Sequence, residues 1–231
     1  AALCNIALDI LFVAVFRWGV FGVAIATVIS QCISSVICLL ALRKMPIMAL
    51  SRQDLKTDPP MMKRLLGLGV PVAFQNLIIS IGGLALQRVV NGFGFVFMAG
   101  INAATRLCGL MELAGTSLAS AMGTFAGQNL GARKLDRVKL GLRRSAQIAV
   151  GMALIVALIL VLFGRPLLSL FINDEPELVE QVLTYGCRYL NVMSAGLFML
   201  YLLFVYRSTL QGLGDTVIPM ISGFVELAMR I

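Results

Sequence analysis

Seven long apolar stretches, separated by short polar segments whose charge alternates in sign, constrain this chain more than any other feature of its sequence. They cover residues 1–16, 19–42, 65–90, 95–126, 145–163, 179–206 and 217–231. An α-helix rises about 1.5 Å per residue, so crossing a hydrocarbon layer about 30 Å thick takes about 20 residues. The five inner stretches reach or approach that length, whereas the first and last would reach only about 22 Å. We expect those two to be parts of longer helices and the chain to be an internal piece of a longer protein. Its apolar content of 59% and mean hydropathy of +0.94 exceed the roughly half-apolar usage of soluble domains. In lipid every backbone N–H and C=O must be bonded within the protein, and for stretches of this length that means helices. The predicted fold class is therefore all-α, a polytopic transmembrane helix bundle.

Charge sets the expected orientation. Arg43, Lys44, Arg52, Lys56, Lys63 and Arg64 lie between the second and third stretches, and Arg133, Lys134, Arg137, Lys139, Arg143 and Arg144 follow the fourth. Segments of the opposite parity hold Arg17 alone, the uncharged 91–94, and the acids Asp174, Glu175, Glu177 and Glu180. Cytoplasmic loops carry the excess of Lys and Arg, which places the two basic segments inside and the acidic one, with Trp18 in an interfacial belt, outside. Most of the net charge of +8 is then a topological signal, and the basic segments also suit anionic lipid headgroups. No soluble segment is long enough to bury a core of its own, so no nucleic-acid partner is expected. The five cysteines lie in apolar stretches without a C-x-x-C pair, and there is no histidine. Neither a zinc site, a disulfide framework nor a Ser-His-Asp triad is indicated; we expect no enzyme and no cofactor.

The punctuation of the chain is specific. Residues 51–60, ending in Asp58-Pro59-Pro60, read as a linker that separates two stretches from the following five. Pro71 after Gly69 and Pro219 after Gly214-Asp215-Thr216 are expected in the first turns of helices, where a missing N–H costs nothing; Asp215 or Thr216 would cap the second. Gly115, Ala119, Gly123, Gly127 and Gly131 recur every four residues, which makes a smooth stripe on a helix where another backbone approaches closely. Such a stripe serves packing, or a sliding contact in a transporter.

Ionisable groups inside the stretches weigh most, because a charge at the bilayer centre costs at least about 2.5–3.5 kcal/mol on insertion scales. Asp9 lies within the first stretch with Asn5 one turn earlier, and Thr27, Ser30, Gln31, Ser34 and Ser35 give the second a polar side. Carboxylate, amide and hydroxyl oxygens are hard ligands, suited to Na⁺ or to a proton on Asp9; the alternative is an ion pair between Asp9 and a cation on another helix. Arg88, Arg106, Glu112, Glu226 and Arg230 form a second set. Arg88 is near enough to the outer end to snorkel, Arg106 and Glu112 are six residues apart and share no face, and Glu226 and Arg230 can pair at i,i+4. Pairing that lowers the burial cost is one reading of this set; a proton or substrate path through Glu112 or Glu226 is the other.

These residues carry a family resemblance. Asn5-Ile6-Ala7-Leu8-Asp9 and the run from Gly19 to Gln31 resemble the fifth and sixth helices of the multidrug and toxic compound extrusion (MATE) transporters. Gly69-Val70-Pro71 with Gln75-Asn76 is similar to the start of their seventh, Gly127-Gln128-Asn129-Leu130-Gly131-Ala132-Arg133-Lys134 to the end of their eighth, and Gln211-Gly212-Leu213-Gly214-Asp215-Thr216 with Pro219 to the entry to their eleventh. The resemblance implies a twelve-helix antiporter of two six-helix lobes, a monomer at full length in the bacterial cytoplasmic membrane. It would export cationic or amphipathic small molecules in exchange for Na⁺ or H⁺. Residues 1–50 would supply the last two helices of the first lobe, 51–64 the cytoplasmic linker, and 65–231 the first five helices of the second. It further implies that Asn5, Asp9 and Thr27 form the first-lobe cation site, with Na⁺ or a proton on Asp9. Some members place acids on the seventh and tenth helices instead, but 67–90 and 182–206 contain none; Gln75, Arg106, Glu112 and Glu226 stand as a proton or substrate path. A lipid-linked saccharide flippase of the same superfamily is the alternative, favoured if Arg88 and Arg106 face the cavity, and a seven-helix receptor is a more distant one.

Overall fold

The computed structural model describes residues 2–44, 58–172 and 176–230. The linker residues 45–57 and the acids Asp174 and Glu175 lie outside the described residues. Every regular element among the described residues is helical, and five helices are long and apolar enough to cross a membrane, with a shorter apolar helix over Ala2–Val15. The chain is a multi-pass integral membrane protein with an all-α fold. It divides into two compact units, Ala1–Pro59 and Pro60–Ile231.

In the first unit α1 spans Ala2–Ile10 and α2 spans Gly19–Arg43. Between them Leu11–Val15 is a π-helix, which the apolar pattern of 1–16 does not announce. Phe16 N–H donates to Leu11 O at 3.1 Å and Trp18 N–H to Phe12 O at 3.0 Å, so the last turn is wider than an α-turn. The chain reverses through Arg17 and Gly19, both with positive φ; Gly19 takes that conformation without the Cβ clash other residues meet. The wide turn brings Phe12 onto Trp18, the ring centroids 5.2 Å apart and stacked, with Phe16 5.6 Å from Trp18 on another side. Gly22 lets the two arms close: a methyl group there would lie 3.0 Å from Phe12 Cβ. Much of the polar side of α2 is spent on its own backbone, since Thr27, Ser30 and Ser35 donate to the carbonyls four residues earlier.

In the second unit α3 spans Pro59–Asn91, α4 Phe95–Gly131, α5 Leu135–Ser169, α6 Pro176–Gly212 and α7 Val217–Arg230. Helices α3 to α6 run past the apolar stretches that announce them, and this corrects two expectations. Arg137, Lys139, Arg143 and Arg144 sit on the first turns of α5, not in a loop. Pro71 lies inside α3, twelve residues from its start, not in a first turn; membrane helices tolerate this because neighbouring groups satisfy the freed carbonyl. Pro219 does sit in the first turn of α7, and Asp215 Oδ1 caps that helix by accepting from the N–H groups of Val217 and Ile218 at 3.1 and 3.2 Å.

The core is the packing of α4, α5 and α6. One cluster gathers Ala104, Leu107, Leu160, Leu168 and Leu190; a second gathers Met122, Ala126, Ala149, Ala153, Leu197 and Tyr201. Helices α4 and α6 are in parallel register, with Gly100 against Gly186, Gly115 under the Tyr201 ring and Gly123 against Ser208 and Gly212. Tyr201 is fully buried, and its hydroxyl donates to Met111 O at 2.6 Å, which ties the two helices at mid-length. The small-residue stripe is thus a packing surface for α6 from Gly115 to Gly127, whereas Gly131 meets nothing within 4 Å.

Candidate functional site

Polar side chains meet between helices in both units. In the first, the neighbouring arms α1 and α2 bring Asn5 and Thr27 together: the Asn5 Nδ2 donates to Thr27 Oγ1 over 3.5 Å, and Thr27 in turn donates to Val23 O at 2.9 Å. Asp9 follows Asn5 by one turn, and its Oδ1 is buried without a hydrogen-bond partner. A buried acceptor left unpaired costs roughly 1–3 kcal/mol, more when charged. A proton on the carboxyl or a cation beside it removes that cost. The Asn5–Thr27 bond is long and weak. Among the described residues no group of three or more Asp, Glu, Cys or His is placed to hold a metal ion; a cation here would rest on Asp9 and neutral oxygens.

In the second unit a ladder of polar side chains joins α3, α6 and α7. Gln211 Nε2 donates to Gln75 Oε1 at 3.1 Å, and Gln75 is buried against Gly223, where a methyl group would lie 3.3 Å from its Cγ. One turn before Gln211, Arg207 donates through Nε to Ser222 Oγ at 2.8 Å and through Nη2 to Glu226 Oε2 at 3.0 Å. Arg230 bonds the other Glu226 oxygen from one turn further along α7, and its stem lies over Gly82 of α3, which has no side chain to obstruct it. The side chain of Arg207 is only 11% exposed and that of Glu226 24%. Glu112 of α4 is half-buried and within electrostatic range of Arg230. Glu226 thus lies between two arginines, and Glu112 makes no ion pair within 4 Å among the described residues.

Sequence reasoning finds the Glu226–Arg230 pair and misses Arg207. That arginine falls one residue past the end of the sixth apolar stretch and reads as a loop charge. Its signal was there: Arg207 and Gln211 are one turn apart, on a face that the continued helix carries inward. Arg106 and Arg88 are both exposed and make no ion pair among the described residues. Arg106 does not join Glu112.

Comparison with known proteins places this arrangement. The probable multidrug resistance proteins YoeA and YpnP of Bacillus subtilis are similar to this chain, 28% identical over 182 residues and 29% over 192. The matches cover 75% and 83% of this chain but 39% and 42% of the relatives. A crystal structure of a mutant of the Vibrio cholerae MATE transporter VcmN shares the fold, with a TM-score of 0.88 at 20% identity over 98% of this chain and 50% of that one. The chain thus spans about half the length, or less, of these three proteins. The MatE family model matches residues 71–231, from the middle of α3 onward, and the chain belongs to the MatE family.

Proposed function

We propose that this chain is the central part of a two-lobe, twelve-helix secondary transporter that exports cationic or amphipathic small molecules in exchange for Na⁺ or H⁺. In this reading residues 1–50 end the first lobe, 51–64 link the lobes on the cytoplasmic side, and 65–231 begin the second. The names of the two Bacillus relatives, probable multidrug resistance proteins, support the substrate class. The observation that carries the coupling is the buried, partnerless Oδ1 of Asp9 beside the Asn5–Thr27 bond. An ion or proton that relieves this oxygen in one conformation more than in the other shifts the alternating-access equilibrium, and the substrate shifts it back. A differential of a few kcal/mol is enough to change the dominant state. In the second lobe Gln75, Arg106, Glu112 and Glu226 would form a proton or substrate path, with Glu226 held by its two arginines.

The test is the Asp9→Asn variant of the full-length protein in proteoliposomes under an imposed Na⁺ or H⁺ gradient. Asn keeps the size and removes the charge, so gradient-driven transport should be lost while membrane insertion and unfolding temperature stay near those of the parent. Gradient-driven transport at the parent rate would overturn the assignment and direct attention to Glu112.

A further inference from the structure

Helix α5 enters the second unit with four basic residues on its first three turns, and against α6 it borders a groove of about 640 Å³. Lys139 and Arg143 border the groove at the start of α5 with Leu142 between them, Ala146, Gln147 and Val150 follow along the same helix, and Leu202 and Tyr206 of α6 face them. No acidic residue lines it, and neither Lys139 nor Arg143 has a carboxylate within 4 Å among the described residues. Arg144 donates to the Gln147 carboxamide oxygen at 3.3 Å, which leaves the Gln147 amide N–H groups as donors. Along α5 the polar groups thus run from ammonium and guanidinium to amide, with Leu142 and Ala146 between them, and the groove ends on the hydrocarbon of Val150. From Lys139 to Val150 this gradient covers about 16 Å at the α-helical rise. Beyond it the exposed side chains Leu154, Ile155, Leu158, Val161 and Leu162 continue as an apolar stripe along the same helix.

We propose that this groove binds an anionic phospholipid. Its phosphodiester would sit between Lys139 and Arg143, its glycerol esters would accept from Gln147 and Tyr206, and an acyl chain would lie over Val150 and Leu202 toward the apolar stripe of α5. The order of chemistries along the groove is that of a phospholipid from head to tail. A free phosphate would use only the first third of it. Two unpaired cations at a membrane surface favour an anionic headgroup over a zwitterionic one. A lipid wedged between the first turns of α5 and the last turns of α6 bears on the same α6 turns that carry Arg207 and Gln211. The proposal does not depend on the transport reading; it needs only that this end of α5 lies at a membrane surface.

Native mass spectrometry of the full-length protein, released from detergent with equal amounts of phosphatidylglycerol and phosphatidylcholine of the same acyl chains, tests it. Phosphatidylglycerol should be retained about tenfold more than phosphatidylcholine. The Lys139→Gln/Arg143→Gln variant should lose that preference, and the charge-keeping Lys139→Arg/Arg143→Lys variant should retain it. The Val150→Trp variant fills the apolar end without altering charge and should lose retention of the lipid itself, which keeps the test decisive if the double variant unfolds. Equal retention of the two lipids by the parent protein, or an unchanged preference in the Lys139→Gln/Arg143→Gln variant, overturns the proposal.

Discussion

Arg207 reaches α7 with two nitrogens, and what it would cost to disturb them depends on which partner is removed. Taking away one member of a buried ion pair strands the other, and a stranded charge is far more costly than the pair is valuable. Glu226 has two arginines and Arg207 has one carboxylate, so the losses should be unequal. Glu226→Met, which leaves the 11%-exposed guanidinium of Arg207 unpaired, should destabilise the full-length protein in detergent by about 2–4 kcal/mol. Arg207→Met leaves Glu226 with Arg230 and should cost less, and the double replacement should recover part of the Glu226→Met loss. Arg165 and Glu180 form a pair at 2.6 Å, but both side chains are 62% exposed; Arg165→Ala should change stability by less than about 1 kcal/mol. Thermal or denaturant unfolding of the four variants separates these outcomes, and equal losses at Arg207 and Glu226 would refute the asymmetry.

At the scale of elements, the close crossing of α4 and α6 is a matter of glycines placed opposite one another. A methyl group on Gly212 would run into the backbone carbonyl of Gly123, which cannot swing aside as a side chain can. Gly212→Ala should therefore cost about 1–3 kcal/mol, while Gly131→Ala, in open space at the end of the same stripe, should stay within about 0.5 kcal/mol of the parent. Unfolding midpoints of the two variants decide this, and similar values would mean that the helices simply move apart. The periodicity of small residues announces the stripe without saying where it stops being used. The π-turn over Leu11–Val15 is less legible still: its residues Leu-Phe-Val-Ala-Val are as compatible with an α-helix, and the wide turn is chosen by the stacking of Phe12 and Phe16 around Trp18.

For the whole molecule, the alternation of helices carries the basic turns between α4 and α5 to one membrane face and the turn between α3 and α4 to the other. The positive-inside rule predicts that the first of these is cytoplasmic. In a full-length protein stripped of its own cysteines, a cysteine replacing Phe93 should react with an impermeant thiol reagent added outside intact cells. One replacing Arg133 should react only after permeabilisation. The reverse pattern would invert the orientation and with it the leaflet in which the lipid groove lies.

What this sequence determined by itself was set by local chemistry. Apolar stretches of membrane-spanning length, basic and acidic segments between them, the Asp215 cap before Val217 and the Glu226–Arg230 pair at one helical turn all depend on residues close in the chain. Backbone saturation in lipid then leaves helices for the stretches. What only the tertiary structure decided is which distant groups meet. Gln75 and Gln211 are 136 residues apart, Tyr201 reaches Met111 across 90, and Arg207 meets Glu226 across 19. No periodicity encodes such pairings, because they follow from how far each helix runs past its apolar stretch and from the rotation at which its neighbours pack. Helix α6 runs on to Gly212, and that extension carries Arg207 into the unit; Asp9 keeps a buried oxygen without a partner, while Asn5, one turn away, donates its amide to Thr27.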